Sequence, residues 1–369
     1  MAADLARILA ASGMRLSPQG DFVADVASTG GPGSLSTLAS PLFLRAAGAV
    51  VPKLGVPGRP AGGIDCLAQI PGYRTVLALR EVTNILESGG YAHFLATGDW
   101  APLDGRMFLL RQAMDAQNVP TLVIASLLSK KIAVGVRYAC LDVRVAPHGN
   151  FGTDWSEAAR NSRLFIDTAK RLEIEAVPVL TDGIHPYQPY LGRRESLLAM
   201  YDYFEGRADI WLDDHFLACL TLALACCPVH HRAKAVDADR TVLRGHFVRN
   251  LSEQGAGPEE FEHIAVATRK SHDVELFAEH DGFCHFPVRE LRDAMVGWQR
   301  ERISCDDPFP DPVGLILLKR PGAWVERGAL LATARVDAGI REEAVERLRV
   351  LVCRPSPKPS APGLEAING

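Results

Sequence analysis

The sequence predicts an α/β protein: a small helical part, a central mixed, mainly parallel sheet with flanking helices, and a C-terminal α+β unit. Three observations carry that expectation. Between residues 20 and 265, strand-like apolar runs alternate with polar, helix-compatible stretches, the pattern of strand–helix units. The run FVADV at 22–26 passes through a glycine-rich turn into an apolar helix. From residue 310 to 336 the texture changes to short strands punctuated by Pro and Gly, which suits a small antiparallel unit packed with helices.

In chain order, residues 1–16 form an amphipathic helix with Leu5, Ile8 and Leu9 on one face. A helix at 35–47 follows the glycine turn. Strands are expected at 119–125 (VPTLVIA), 139–145 (ACLDVRV) and 174–181 (IEAVPVLT). Residues 217–227 (LACLTLALACC) read as a continuous apolar helix ended by Pro228. Two strands, 313–318 and 329–336, flank the turn residues Arg320, Pro321, Gly322 and Gly328. The Pro- and Ser-rich stretch beyond residue 354 is expected to be a disordered tail. The resulting division is 1–17 with 101–130 as the helical part, 18–100 with 131–265 as the α/β domain, 266–353 as the C-terminal domain, and 354–369 as the tail.

Composition excludes several classes of function. The 369 residues are 47% hydrophobic and 23% charged, ordinary values for a chain with a sizeable core. Forty Lys and Arg against forty-four Asp and Glu leave a net charge of −4, which predicts no nucleic-acid partner and no polybasic membrane anchor. No run of eighteen apolar residues is long enough to span a bilayer. Eight scattered cysteines do not form a disulfide framework, so a reducing, cytoplasmic location is expected. Cys226, Cys227, His230 and His231 lie close together but lack the paired spacing that zinc requires, so no metal site is expected.

The most informative segment is DVASTGGPGSLSTLA at 25–39. Gly30, Gly31 and Gly33 let a ligand approach the backbone, and the following helix start offers free N–H groups. Ser28, Thr29, Ser36 and Thr37 add hydroxyl donors, an inventory for holding phosphate. The alternative is a plain tight turn with a Ser/Thr helix cap. No Gly-Lys-Ser/Thr follows, so this is not a Walker A loop, and Ser36 stands where a dinucleotide fingerprint needs its third glycine. A second constellation is Arg111, Ser126 and Lys130. Ser126 and Lys130, four apart, share a face if that segment is helical; as surface residues they would carry no function.

Taken in order, STGGPGS, the Gly62-Gly63-Ile64-Asp65 stretch, Ala101-Pro102 with Asp104, Arg111, IASLLSKK, LDVRV and the segment DPVGLILLKRPGAWVERGALLATARV resemble the thymidine and pyrimidine nucleoside phosphorylases, relatives of anthranilate phosphoribosyltransferase. The resemblance covers roughly residues 5–350. It implies a C-terminal unit of barrel-sandwich type. It also implies pentosyl transfer, in which phosphate attacks C1′ of a pyrimidine nucleoside and the base departs. Phosphate is then a co-substrate and no cofactor is needed. The leaving base gathers negative charge and needs donors on its carbonyl edge, roles that fall on Arg111, Ser126 and Lys130.

The phosphate side departs from the family. Where the family reads Lys-His before Ser-Thr-Gly-Gly, this chain has Val26 and Ala27. Restoring charge through Val26→Lys with Ala27→His is therefore expected to strengthen phosphate binding. Gly192-Arg193-Arg194 stands in place of a Gly-Asn pair; Arg193 and Arg194 either bind an anion carried by the substrate or begin a helix as surface charges. The resemblance also starts after most of the family's N-terminal helices, so a monomer or a homodimer using residues 1–16 and 103–118 is expected. The rival to a pentosyltransferase is a non-catalytic pyrimidine-binding paralogue. No acidic pair suits the magnesium of a phosphoribosyltransferase.

Overall fold

The computed structural model describes residues 1–358 apart from Gly30, Asp115 and Gln117. The chain opens with helix α1 (Ala2–Ala11), strand β1 (Ala24–Ser28) and helix α2 (Ser36–Ala46). Then come β2 (Val51–Gly55), α3 (Gly63–Leu67), α4 (Leu79–Ser88) and β3 (Tyr91–Leu95). Helices α5 (Pro102–Ala113) and α6 (Pro120–Ala133) lead into β4 (Tyr138–Val145), α7 (Trp155–Lys170) and β5 (Glu175–Asp182).

Strand β1 pairs in parallel with β4, and β4 with β5. β2 pairs in parallel with β3, and a parallel Val23–Val50 bridge joins the two groups. The spatial order is therefore β3-β2-β1-β4-β5, which reverses direction at β1. Both faces are covered, as an all-parallel sheet requires. The two-residue period of the strands sends Ala24, Val26 and Cys140 into one core with α2, and Val23, Leu141 and Val143 into a second core with α1, α6 and α7.

The segment 119–125, expected as a strand, is instead the start of α6. Pro120 occupies the first helical turn, where a missing N–H costs nothing. Its apolar run is a buried helix face, with Val123, Ile124, Ala125 and Leu128 all inside; a short run of this kind has no periodicity to separate helix from strand. Helix α1 is shorter than the expected 1–16. Gly13 fits tightly against the Asp99 carbonyl, where any Cβ would lie 2.3 Å away, and Met14 N–H donates to that carbonyl. Because α1 and α6 share a core with the sheet, the helical part has no separate interior.

The remaining helices follow β6 (Tyr190–Leu191): α8 (Arg193–Phe204), α9 (Ile210–Ala225), α10 (Val229–Val236), α11 (Arg240–Glu253) and α12 (Pro258–Lys270). Cys226 and Cys227 close α9 as buried thiols, and burial raises both. Among the described residues no group of His, Cys, Asp and Glu could hold a metal. The C-terminal part contains β7 (Val274–Phe277), β8 (Gly282–Phe283), α13 (Val288–Arg300), β9 (Val313–Leu317), β10 (Trp324–Val325), β11 (Leu330–Val336) and α14 (Arg341–Val352). Its antiparallel sheet has the order β6-β9-β11-β7, so the strand at 190–191 crosses over from the α/β part. Of the expected tail, Ser356 pairs with Phe283, and 359–369 lie outside the described residues. No helix among the described residues is long and apolar enough to cross a membrane.

Candidate active site

Helices α5 and α6 bring the second constellation together. Lys130 Nζ donates to Ser126 Oγ at 3.0 Å and to Asp104 Oδ2 at 2.5 Å. Arg111, on α5, donates through Nε to the Ala116 carbonyl at 3.3 Å. Burial holds Lys130 below the usual lysine range, and Asp104 opposes that shift. The second Asp104 oxygen, Oδ1, is buried without a hydrogen-bond partner. Lys130 thus links the Asp104 carboxylate to the Ser126 hydroxyl, and Arg111 lies close enough to feel the Asp104 charge, an arrangement able to grip a planar ligand with adjacent acceptors.

The glycine turn lies at the carboxyl end of β1, where the strand order reverses. In open parallel sheets this is the crevice in which ligands bind. Its hydroxyls are engaged differently from the expectation. Ser28 Oγ and Ser36 Oγ each donate to Asp142 Oδ2 at 2.9 Å, and Thr181 Oγ1 donates to Oδ1 at 3.1 Å. Thr29 Oγ1 accepts the Arg144 backbone N–H. Arg144 pairs with Asp142 at 2.7 Å and donates to Ser34 Oγ at 3.1 Å. Two of the four hydroxyls assigned to phosphate, those of Ser28 and Ser36, therefore face a protein carboxylate, which repels an anion.

The glycines are explained by packing. A Cβ on Gly31 would meet the Tyr187 ring at 2.9 Å, and one on Gly33 would meet Leu191 at 2.5 Å. Segment 187–191 thus lies directly over the turn, and Gln188 Nε2 donates to the Gly33 carbonyl at 2.9 Å. Arg144 lies 3.5 Å from the Tyr187 ring centre, and Tyr187 stacks on His215. His215 Nε2 accepts the Leu35 N–H at 2.9 Å. Burial, with help from Arg144, pushes His215 down to about 3, so the ring is neutral as an acceptor must be. Thr37, in the first turn of α2, faces α3 at Gly63. Gly30 lies outside the described residues.

A buried charge cluster stands beside β1. Asp25, 1% exposed, accepts from Lys53 Nζ at 2.7 Å and pairs with Lys131 of α6. Lys53 Nζ also donates to the Val26 carbonyl at 2.5 Å. Burial opposes ionisation of Asp25, yet the two lysines hold its carboxyl well below the ordinary range. His93, opposite Lys53 in the β2–β3 register, is kept neutral by burial and by the nearby Lys53. Val26 is fully buried. Grafting lysine there would bury a further ammonium beside Lys53, so any gain in phosphate binding from Val26→Lys comes with a loss of fold stability.

Arg193 and Arg194 are neither substrate-facing nor simple surface charges. Arg193, 3% exposed, donates to the carbonyls of Arg59 and Pro310 and pairs with Asp65 at 3.2 Å. Arg194 pairs with Asp311 at 3.2 Å. Arg335 binds both Asp311, at 2.7 Å, and Glu195, at 2.8 Å. The expected anion role is corrected: these arginines fasten the start of α8 to the C-terminal part.

Burial works against Glu195 ionisation, but Arg335 and His272 lower its carboxyl from 4.5 to about 2. Its contribution to stability is full above pH 4.5 and is lost as pH falls from 4.5 towards 2. Urea midpoints measured across that window should fall steeply for the natural chain, and Glu195→Gln should flatten the slope.

Sequence reasoning missed Asp142 and Arg144 as a loop-organising pair, and Lys53 and Lys131 as partners of Asp25. The available signal was a charge in the middle of an apolar strand, which demands a buried partner.

No family model matches the chain. It is 28% identical to thymidine phosphorylase of Rhizobium meliloti (strain 1021) over 340 residues, 88% of this chain and 76% of that protein. It is 24% identical to pyrimidine-nucleoside phosphorylase of Geobacillus stearothermophilus over 343 residues, 88% of this chain and 78% of the relative. Among solved structures, yeast anthranilate phosphoribosyltransferase in complex with PRPP and Mg aligns with a TM-score of 0.48 and 13% identity, over 72% of this chain and 80% of that one. The chain is thus similar to thymidine and pyrimidine-nucleoside phosphorylases over most of its length, a likeness that supports an enzyme role.

Proposed function

We propose that the protein is a pyrimidine nucleoside phosphorylase-like pentosyltransferase, cleaving the N-glycosidic bond with phosphate as co-substrate and no other cofactor. The observation that carries this reading is the bonded set Lys130, Ser126 and Asp104, with Arg111 on the adjoining helix. Arg111 and Lys130 would hold the carbonyl edge of the base and stabilise the charge it gains on leaving. On the anion side, Lys53 and Lys131 carry one more charge than Asp25 balances, a positive excess buried beside β1 that favours an anion on the same side of the sheet. A cytoplasmic location fits eight cysteines that are all free thiols.

The test is to incubate uridine, thymidine and their 5′-phosphates with phosphate or arsenate and measure free base. Release that depends on the added anion supports the reading. Tight uracil binding without release would favour a non-catalytic pyrimidine binder, the reading suggested by uncharged Val26 and Ala27 and by the commitment of Ser28 and Ser36 to Asp142. Lys130→Ala should weaken uracil or thymine binding by about 1–3 kcal/mol, the value of a charged hydrogen bond. Calorimetry giving wild-type affinity for this variant would remove Lys130 from the base site. Light scattering distinguishes a monomer from a homodimer.

A further inference from the structure

At the carboxyl end of β5, Asp182 and His185 form a pair that the base site does not use. His185 Nδ1 lies 2.6 Å from Asp182 Oδ2. A carboxylate only accepts, so Nδ1 carries the proton and Nε2 of the neutral ring is left as a free acceptor. That Nε2 is buried and has no hydrogen-bond partner. Among the described residues eight buried side-chain polar atoms lack partners, and three cluster in the ends of β4 and β5 and the loops that follow: Arg144 Nε, Asn150 Oδ1 and His185 Nε2. The two loops touch, since Gly183 N–H donates to the Val145 carbonyl at 2.8 Å. They also border the glycine turn, because Tyr187, two residues beyond His185, packs on Gly31 and on Arg144. A buried, unpaired polar group is costly, and three at a ligand crevice mark a polar ligand site.

We infer that His185, oriented by Asp182, is the general base for the anion at the glycine turn. This rests on the pentosyltransferase reading above. With Val26 and Ala27 uncharged, the turn suits phosphate as its monoanion better than as its dianion. His185 Nε2 takes the proton of that monoanion, and a phosphate oxygen forms the bond to C1′. The C1′–N bond breaks and its electron pair leaves with the base. The imidazolium then returns the proton to the base through solvent, so the ring is restored. Asp182 acts through His185 as a positioning residue. Arg144 Nε and Asn150 Oδ1 supply a donor and an acceptor to the same ligand.

The test is steady-state phosphorolysis by His185→Gln, His185→Gly and Asp182→Asn in the full chain, with folding checked by thermal unfolding. His185→Gln should lose 10²–10⁴-fold in kcat with the nucleoside KM little changed. Free imidazole should restore His185→Gly at least about tenfold, which a structural histidine would not allow. Asp182→Asn should lower kcat and leave KM alone. If the natural chain turns over and His185→Gln matches it, or His185→Gly fails to respond to imidazole, the general base is elsewhere while the pentosyltransferase reading stands. If the natural chain releases no base, that reading falls. Protein labelled with ¹⁵N-histidine then decides the dyad: a His185 Nε2 resonance that moves with ribose 1-phosphate or inorganic phosphate supports it, and one that stays put overturns it.

Discussion

Asp25→Asn destabilises the protein by about 3–5 kcal/mol, the cost of removing one member of a buried ion pair. Asp25 is 1% exposed and serves two ammonium groups, Lys53 and Lys131, drawn from β2 and α6. Asparagine keeps the size but removes the charge, leaving two buried cations facing each other. Burial already pulls Lys53 below the ordinary lysine range, and loss of Asp25 would pull it further. Adding Lys131→Met to Asp25→Asn should recover part of the loss, because one uncompensated charge is then gone. Urea unfolding of the three chains measures both effects. A loss under about 1 kcal/mol for the single variant would mean that the cluster is solvated and that α6 is not fastened to the sheet through it.

Asp142→Asn should have opposite effects on stability and on anion binding. Asp142 is fully buried and receives Ser28, Ser36, Thr181 and the Arg144 guanidinium. Without its charge, Arg144 loses its counter-ion, and stability should fall by about 3–5 kcal/mol. The same change removes the negative charge next to the glycine turn. Phosphate affinity should therefore rise by about 1–3 kcal/mol, the value of one charge-assisted hydrogen bond. Differential scanning calorimetry with and without phosphate reads both quantities, since ligand bound to the native state raises its unfolding temperature. If phosphate affinity is unchanged while stability falls, Asp142 is purely architectural and the anion binds away from this turn.

The sequence by itself determined the alternation of strands and helices and that Ser126 and Lys130 share a face wherever their segment is helical. Periodicity and composition act locally: glycine after FVADV, Pro228 after an apolar helix, and a four-residue spacing that places two side chains on one face. Local signals failed at 119–125, where a buried helix and a buried strand have the same composition. Tertiary structure alone decided which polar residues are partners. Asp142 collects hydroxyls from residues more than a hundred positions away in the chain, and Arg193 finds Asp65 across a similar distance. A serine in a glycine turn has the same sequence whether it faces phosphate or a carboxylate. Only the strand brought beside it settles which, because the cost of burying an unpaired charge is paid between elements rather than within one.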